Sequence, residues 1–123
     1  MINPDVGYTI YVSGPMGGIP DLNEPAFRAV AANLMERGYA VIVPHDVEAV
    51  EHDGPCPRSH GGTTQTGHGT GCFLRGDVRA LTYADAIYML EGWECSVGAR
   101  LELQVATACG ISVMIQSPIV VGP

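Results

Sequence analysis

The chain of 123 residues contains no lysine. Its six basic residues are all arginines, set against 13 aspartates and glutamates, so the formal net charge at pH 7 is −7. The lack of lysine excludes Schiff-base chemistry on a side-chain amine and the phosphate-binding lysine of a Walker loop. The acidic balance disfavours a nucleic acid polymer as partner, because proteins that bind one neutralise its phosphates with basic side chains. A small anionic ligand stays compatible with the sequence, since backbone amides bind phosphate without help from net charge.

Long apolar runs are also missing from the sequence. No stretch approaches the roughly 20 residues that a membrane span requires, and the opening residues, Met1 to Asp5, lack the basic segment of a signal peptide. The four cysteines are Cys56, Cys72, Cys95 and Cys109. They are widely spaced and form no CxxC pair, which is typical of reduced thiols. We therefore expect a cytoplasmic protein that binds no membrane.

The residues that are present predict one α/β domain over residues 1–123. Short apolar runs at 9–12, 39–43, 86–90 and 111–115 alternate with segments of helical periodicity. Such alternation indicates a Rossmann-like or flavodoxin-like three-layer sandwich, with a parallel sheet covered by helices on both faces. The sheet should have four strands, or five if residues 119–121 add an edge strand. Ligands of such sheets bind at the carboxyl ends of the strands.

The segment from about residue 45 to residue 71 shows no periodicity and carries all four histidines. A stretch of this length inside a small domain is typical of a functional loop or a disordered one. Its spacing C-x3-H-x7-H-x3-C, formed by Cys56, His60, His68 and Cys72, leaves zinc binding open as an alternative. Because the spacing matches no standard structural zinc pattern, we favour a mobile lid and expect neither a metal nor a cofactor.

Two carboxylates occupy unusual positions in predicted helices. Glu102 borders an apolar stripe in the first turns of the third helix, and no cation lies three or four residues away. Asp77 has a similar apolar setting in the second helix. A carboxylate held ionised beside a cleft is typical of a nucleophile, although either residue alone is also compatible with an ordinary solvated acid. The predicted stripe of the third helix consists of Val97, Leu101, Val105 and Ala108.

Smaller signals surround these carboxylates. The turn Ser13-Gly14-Pro15-Met16-Gly17-Gly18 is suited to a close backbone approach to an anion. Asp85 precedes the third strand and fits a turn cap or a functional role equally well. Ser96 is placed to cap the third helix, and Tyr11 in the first strand is compatible with a plain core position.

Taken in order, three motifs resemble the nucleoside 2-deoxyribosyltransferase-like superfamily. They are TIYVSGP at 9–15, LRGD at 74–77 followed by Ala84-Asp85, and SVGARLE at 96–102. The resemblance spans nearly the whole chain except the loop at 45–71. Within that superfamily, the chain resembles a small phage and bacterial branch that is similar to nucleoside 5′-monophosphate N-glycosidases.

The resemblance implies an enzyme that cleaves an N-glycosidic bond. Glu102 is then the nucleophile, Asp77 protonates the departing base, and Tyr11 orients Glu102. The other residues it implicates in substrate binding are Ser13, Gly14, Pro15, Asp85, Trp93, Ser96 and Gly98. The expected outcome is release of free base, or transfer of the sugar to another base.

Ser96 bears on the substrate that the resemblance implies. Family members that act on nucleoside 5′-monophosphates carry serine six residues before the glutamate, whereas those acting on free nucleosides carry aspartate. The sequence therefore favours a (deoxy)nucleoside 5′-monophosphate, although Met16 stands where nucleotide-hydrolysing relatives place arginine. Alternatives are a 2-deoxyribosyltransferase acting on free nucleosides and a non-catalytic nucleotide-binding sensor module.

We also expect a homo-oligomer, at least a dimer. Relatives complete each active site with residues of a neighbouring subunit. The composition agrees, because 46% hydrophobic and 15% charged residues leave little polar material to cover a small domain. Trp93, the single tryptophan, fits a contact with a partner or with the base of the substrate, or a place in its own core.

Overall fold

A computed structural model of the protein describes residues 7–48 and 69–117. Its four strands are β1 (Thr9–Ser13), β2 (Ala40–Ile42), β3 (Ala86–Met89) and β4 (Ser112–Ile115). They form one all-parallel sheet with the order β2-β1-β3-β4. The helices in these ranges are α1 (Glu24–Glu36), α2 (Thr70–Leu81) and α3 (Val97–Ala108). The predicted α/β fold is confirmed, while residues 119–121 and most of the loop at 45–71 lie outside the described residues.

The side chains of β1 alternate between two buried clusters on opposite faces of the sheet. Ile10 and Val12 pack on the face covered by α1, whereas Tyr11 packs on the face covered by α2 and α3. The first cluster is completed by Phe27, Ala31 and Leu34, and the second by residues that include Leu81, Ala99 and Ala106. The three-layer arrangement therefore directs Tyr11 and, two residues later, Ser13 toward α2 and α3.

Helix α3 buries a face that only partly overlaps the predicted one. Val97 is 74% exposed and Leu101 is 37% exposed, so these two residues of the predicted stripe do not lie in the core, whereas Val105 packs against the buried cluster around Tyr11. The buried residues are Ala99, Glu102 and Ala106. Two alanines allow the helix to lie close to the sheet, and a buried glutamate is tolerated between them because its carboxylate is hydrogen-bonded. Glu102 therefore lies within the buried face of α3 rather than at its border.

The described part of the chain contains neither a membrane-spanning helix nor a cluster of side chains suited to a metal ion. None of the helices within 7–48 and 69–117 is long and apolar enough to cross a membrane. In the same ranges, no three histidine, cysteine, aspartate or glutamate side chains group in a way suited to a metal ion. Cys56, His60 and His68 lie outside the described residues, so the interpretation of the loop as a lid stays a prediction.

Gly76 marks a close contact between α2 and the segment that follows β2. A methyl group added at Gly76 would overlap the backbone carbonyl oxygen of Glu48 and would lie 3.4 Å from a methyl carbon of Val47. Glycine at this position therefore lets the chain cross α2 directly beside Asp77.

We expect Gly76→Ala to lower the free energy of unfolding. Alanine gains about 1 kcal/mol of helix propensity over glycine. The overlap is with backbone, however, which no rotamer change relieves, and such overpacking typically costs about 1–3 kcal/mol. Urea unfolding followed by circular dichroism measures the difference. Gly98→Ala is the matched control, because the nearest atom to its new methyl group is 4.0 Å away. A Gly76→Ala protein as stable as the parent would contradict the expectation.

Candidate active site

A cleft of about 630 Å³ opens at the carboxyl ends of the strands. It lies between the loop after β1, the middle of α2 and the first turns of α3. The structure brings six of the predicted site residues to this cleft: Gly14, Pro15, Asp77, Ser96, Gly98 and Glu102. The cleft is therefore at the edge of the sheet where the sequence predicted ligand binding.

Glu102 is the most tightly held polar side chain at this cleft. It is 6% exposed, and each of its carboxylate oxygens accepts a short hydrogen bond. The Tyr11 hydroxyl donates to Oε2 over 2.6 Å, and the Ser13 hydroxyl donates to Oε1 over 2.7 Å. Both donors come from β1, where the alternation of the strand places positions 11 and 13 on the same face. The predicted contact of Tyr11 with the glutamate is present in this geometry.

Burial and hydrogen bonding act in opposite directions on Glu102. The pKa of its carboxyl group is raised overall, because burial removes hydration from the charged form and the hydrogen bonds from Tyr11 and Ser13, which lower the pKa, offset this effect only in part. The pKa of the Tyr11 hydroxyl is also raised, first by burial and then by the negative charges of Glu102 and Asp77. Tyr11 therefore keeps its proton and acts as a hydrogen-bond donor rather than as a base.

Asp77 provides a second carboxyl group at the same cleft. Burial, followed by the charge of Glu102, raises its pKa from the ordinary 3.8 to about 7. Its helical position places it one turn from Phe73, which also lines the cleft. A carboxyl group with a pKa near neutrality can donate a proton at physiological pH. The cleft thus combines a proton donor with a hydrogen-bonded carboxylate.

The first turn of α3 forms the opposite wall of the cleft. Ser96 caps the helix as predicted, since its Oγ accepts a hydrogen bond from the Ala99 backbone N–H over 3.1 Å. Ser96, Val97, Gly98 and Ala99 all line the cleft. The partial positive charge of a helix N-terminus therefore faces the space in front of Glu102.

A left-handed turn forms another part of the wall. Asp21, Leu22 and Asn23 have φ values of 55°, 52° and 61°, a conformation that costs non-glycine residues roughly 1–2 kcal/mol each. Two side chains hold the turn in place: Asn23 Nδ2 donates to the Pro15 carbonyl, and His45 Nε2 donates to the Leu22 carbonyl. Leu22 is thereby presented to the cleft although it is 53% exposed.

A second cavity of about 620 Å³ adjoins the cleft. The two share Met16, Leu22, Pro44 and Phe73 as a common wall. Arg28 lies in this second cavity, where its guanidinium group binds both oxygens of Asp46 and one oxygen of Glu24. The charge of Arg28 is therefore already balanced by two carboxylates.

Two predicted site residues lie away from the cleft. Asp85 precedes β3 and is therefore at the amino-terminal edge of the sheet, where its carboxylate accepts a hydrogen bond from the Thr9 backbone N–H over 2.8 Å. Trp93 packs against the buried cluster around Tyr11 and is not among the residues that line the cleft. The structural alternatives considered for both residues, a turn cap and a core position, match these placements. We therefore give neither residue a role in substrate binding.

The loop after β1 also differs in detail from the expectation. The Ser13 hydroxyl, which the resemblance implicates in substrate binding, donates to Glu102 instead. Gly14 lies so close to β3 that a methyl group there would be 2.7 Å from the Leu90 Cβ atom. The absence of a side chain at position 14 is thus required by the close packing of Gly14 against Leu90, the residue after β3.

Apolar residues of the cleft were missed in the sequence analysis. Phe73 and Leu74 precede Asp77 by four and three residues, so helical periodicity already placed them on the same face. The apolar pattern predicts core positions for Val97 and Leu101, and Leu22, Pro44 and Cys95 give no local signal. The cleft is more apolar than the sequence motifs indicated.

These observations define a three-layer α/β protein whose cleft holds the buried carboxyl group of Glu102 and the half-buried one of Asp77. The chain belongs to the family described as a domain of unknown function, DUF4406, whose model matches residues 8–115. No curated protein sequence matches the chain.

A solved structure with a similar fold is that of a 2-desoxiribosyltransferase from Leishmania mexicana. The TM-score is 0.61 with 20% sequence identity, over 88% of this chain and 63% of that chain. The chain thus spans less than two-thirds of the length of that protein. At this level of identity the likeness shows the fold alone.

Proposed function

We propose that the protein cleaves the N-glycosidic bond of a nucleoside or a nucleoside 5′-monophosphate. The observation that carries the proposal is the pairing of Glu102, hydrogen-bonded at both oxygens, with Asp77, whose pKa is about 7. Enzymes that cleave glycosidic bonds with retention use such a pair, one carboxylate as nucleophile and one carboxylic acid as proton donor. The motifs of the nucleoside 2-deoxyribosyltransferase-like superfamily support the same assignment.

In this reaction a carboxylate oxygen of Glu102 attacks C1′ of the sugar. The bond between C1′ and the base nitrogen breaks, the base takes the bonding electron pair, and Asp77 supplies the proton that neutralises it. The sugar is then held as an ester of Glu102. Attack on C1′ by water gives hydrolysis, and attack by a second base gives transfer.

The surroundings of the cleft bear on whether the substrate carries a phosphate. The start of α3, with Ser96 and Gly98, supports phosphate binding, because first-turn N–H groups and a hydroxyl attract an anion. Among the described residues that line the cleft, however, the charged ones are Asp77 and Glu102, and Met16 replaces the arginine of nucleotide-hydrolysing relatives. Glu102 is negative in the proposed reaction, and Asp77 becomes negative as the pH rises above about 7, so the lining favours an uncharged nucleoside over its 5′-monophosphate.

Incubation with matched substrates tests the proposal. Purine and pyrimidine nucleosides, as ribosides and 2′-deoxyribosides, are each compared with their 5′-monophosphates, and free base is measured by chromatography. We expect release of base, with higher kcat/KM for a nucleoside than for its monophosphate. Addition of a second base separates transfer from hydrolysis, because transfer produces a new nucleoside.

The competing function is a non-catalytic nucleotide-binding module on the same fold, since a fold alone does not determine activity. Binding measured by calorimetry without release of base from any member of the panel would support that module and contradict the enzymatic proposal.

A further inference from the structure

Ser13 is a fully buried hydroxyl beside the candidate nucleophile. Its side chain is 0% exposed and it lies at the end of β1, where the strand delivers its Oγ to the Glu102 carboxylate. A hydrogen bond from a buried hydroxyl to a charged group is stronger than one to a neutral partner. Ser13 is therefore suited to controlling the protonation state of Glu102.

We propose that Ser13 is a positioning residue whose hydroxyl keeps Glu102 ionised and thereby leaves the proton of the carboxyl pair on Asp77. The inference rests on the proposed function, in which the nucleophile must be a carboxylate and the proton donor a carboxylic acid. It assigns Ser13 to the nucleophile rather than to the substrate.

The argument begins with the competition between the two carboxyl groups. The buried Glu102 and the half-buried Asp77 repel each other when both are ionised, so one proton tends to be shared between them. Which group holds the proton depends on the hydrogen bonds available to each. Glu102 accepts from two hydroxyls, while within residues 7–48 and 69–117 no side-chain hydrogen bond reaches the carboxyl group of Asp77.

Tyr11 alone does not satisfy the Glu102 carboxylate. Each hydroxyl carries one proton, and that of Tyr11 is directed to Oε2. Ser13 is the donor for Oε1, so its removal leaves one buried carboxylate oxygen without the partner that the structure gives it. Among the residues that the structure describes, the titratable groups that interact with Glu102 are Tyr11 from β1 and Asp77 from α2. Loss of the Ser13 hydroxyl should therefore shift the shared proton from Asp77 toward Glu102.

The test follows the protonation of both carboxyl groups directly. Protein labelled with ¹³C at the side-chain carboxyls of aspartate and glutamate is titrated by NMR, for the parent and for Ser13→Ala. We expect the Glu102 midpoint to rise by about one pH unit or more and the Asp77 midpoint to fall. Ser13→Cys, which keeps a weak donor of similar size, should give an intermediate shift and serves if the alanine variant does not fold. Ser112→Ala, an exposed hydroxyl on β4, is the matched control and should titrate like the parent.

A kinetic readout separates positioning from simple loss of structure. For Ser13→Ala we expect kcat to fall about tenfold or more with little change in KM, and the acidic limb of the pH profile to move to higher pH. Unchanged titration midpoints in both Ser13 variants would overturn the proposal. The titration requires no substrate, so an inactive parent protein refutes the proposed function alone, whereas an active parent with unchanged midpoints refutes the role of Ser13 alone.

Discussion

Substitution of Glu102 by glutamine should abolish turnover while the fold persists. The amide has the shape of the carboxylate, and the Tyr11 and Ser13 hydroxyls can rotate to accept as well as donate. The amide cannot form the ester with C1′, however, so we expect kcat/KM to fall by about a thousandfold or more. Chromatography of released base measures the loss, and circular dichroism checks that the helical content is unchanged.

A covalent readout makes the Glu102 prediction specific. Acid-quenched reactions of the parent protein should contain a species heavier by one sugar residue, and peptide mapping should place it on Glu102. Glu36→Gln, at the exposed end of α1, is the matched control and should retain both turnover and the adduct. A Glu102→Gln protein with more than about a tenth of the parent activity would remove Glu102 from the nucleophilic role.

The architecture was predictable because it depends on short-range patterns. The spacing of Phe27, Ala31 and Leu34 fits the buried face of α1, and the apolar runs predict all four described strands. The alternation of β1 also determined that positions 11 and 13 share a face. Local periodicity is informative here because each element buries one face against the sheet.

The errors arose where tertiary contacts decide which face is buried. Val97 and Leu101 are wrongly predicted to face the core, while Val105 of the same stripe packs there, because α3 contacts the sheet through alanines and through the hydrogen bonds to Glu102. Those bonds join residues about 90 positions apart, so no local pattern shows them. Asp85 is a different case. It precedes β3 in the sequence, and a residue there lies at the amino-terminal edge of a parallel sheet, so its distance from the cleft was predictable.

Substitution of Asp77 by asparagine should affect catalysis in a way that depends on the leaving group. Asparagine keeps the size of the side chain and removes the proton that the departing base requires. General acid catalysis typically contributes about 10²–10⁴-fold, and we expect a loss in this range for unmodified nucleosides. In a nucleoside with an N7-methylated purine, the base carries a positive charge and leaves without protonation. The turnover of this substrate should therefore fall far less in Asp77→Asn. Equal losses for both substrates would contradict the assignment of Asp77 as proton donor.

The same variant should change how stability depends on pH, whether or not a substrate is found. The pKa of Asp77 is about 7 in the folded protein and should return to its ordinary value in the unfolded chain. Between about pH 4 and pH 7 the folded state therefore binds more protons, and its free energy of unfolding falls as the pH rises through this interval. Asp77→Asn removes that loss. The free energy of unfolding of the variant minus that of the parent should therefore be more positive at pH 8 than at pH 4. Urea unfolding of both proteins at the two pH values measures this difference. Identical differences at both pH values would show that Asp77 titrates normally, and the cleft would then lack the proton donor that the proposed reaction needs at neutral pH.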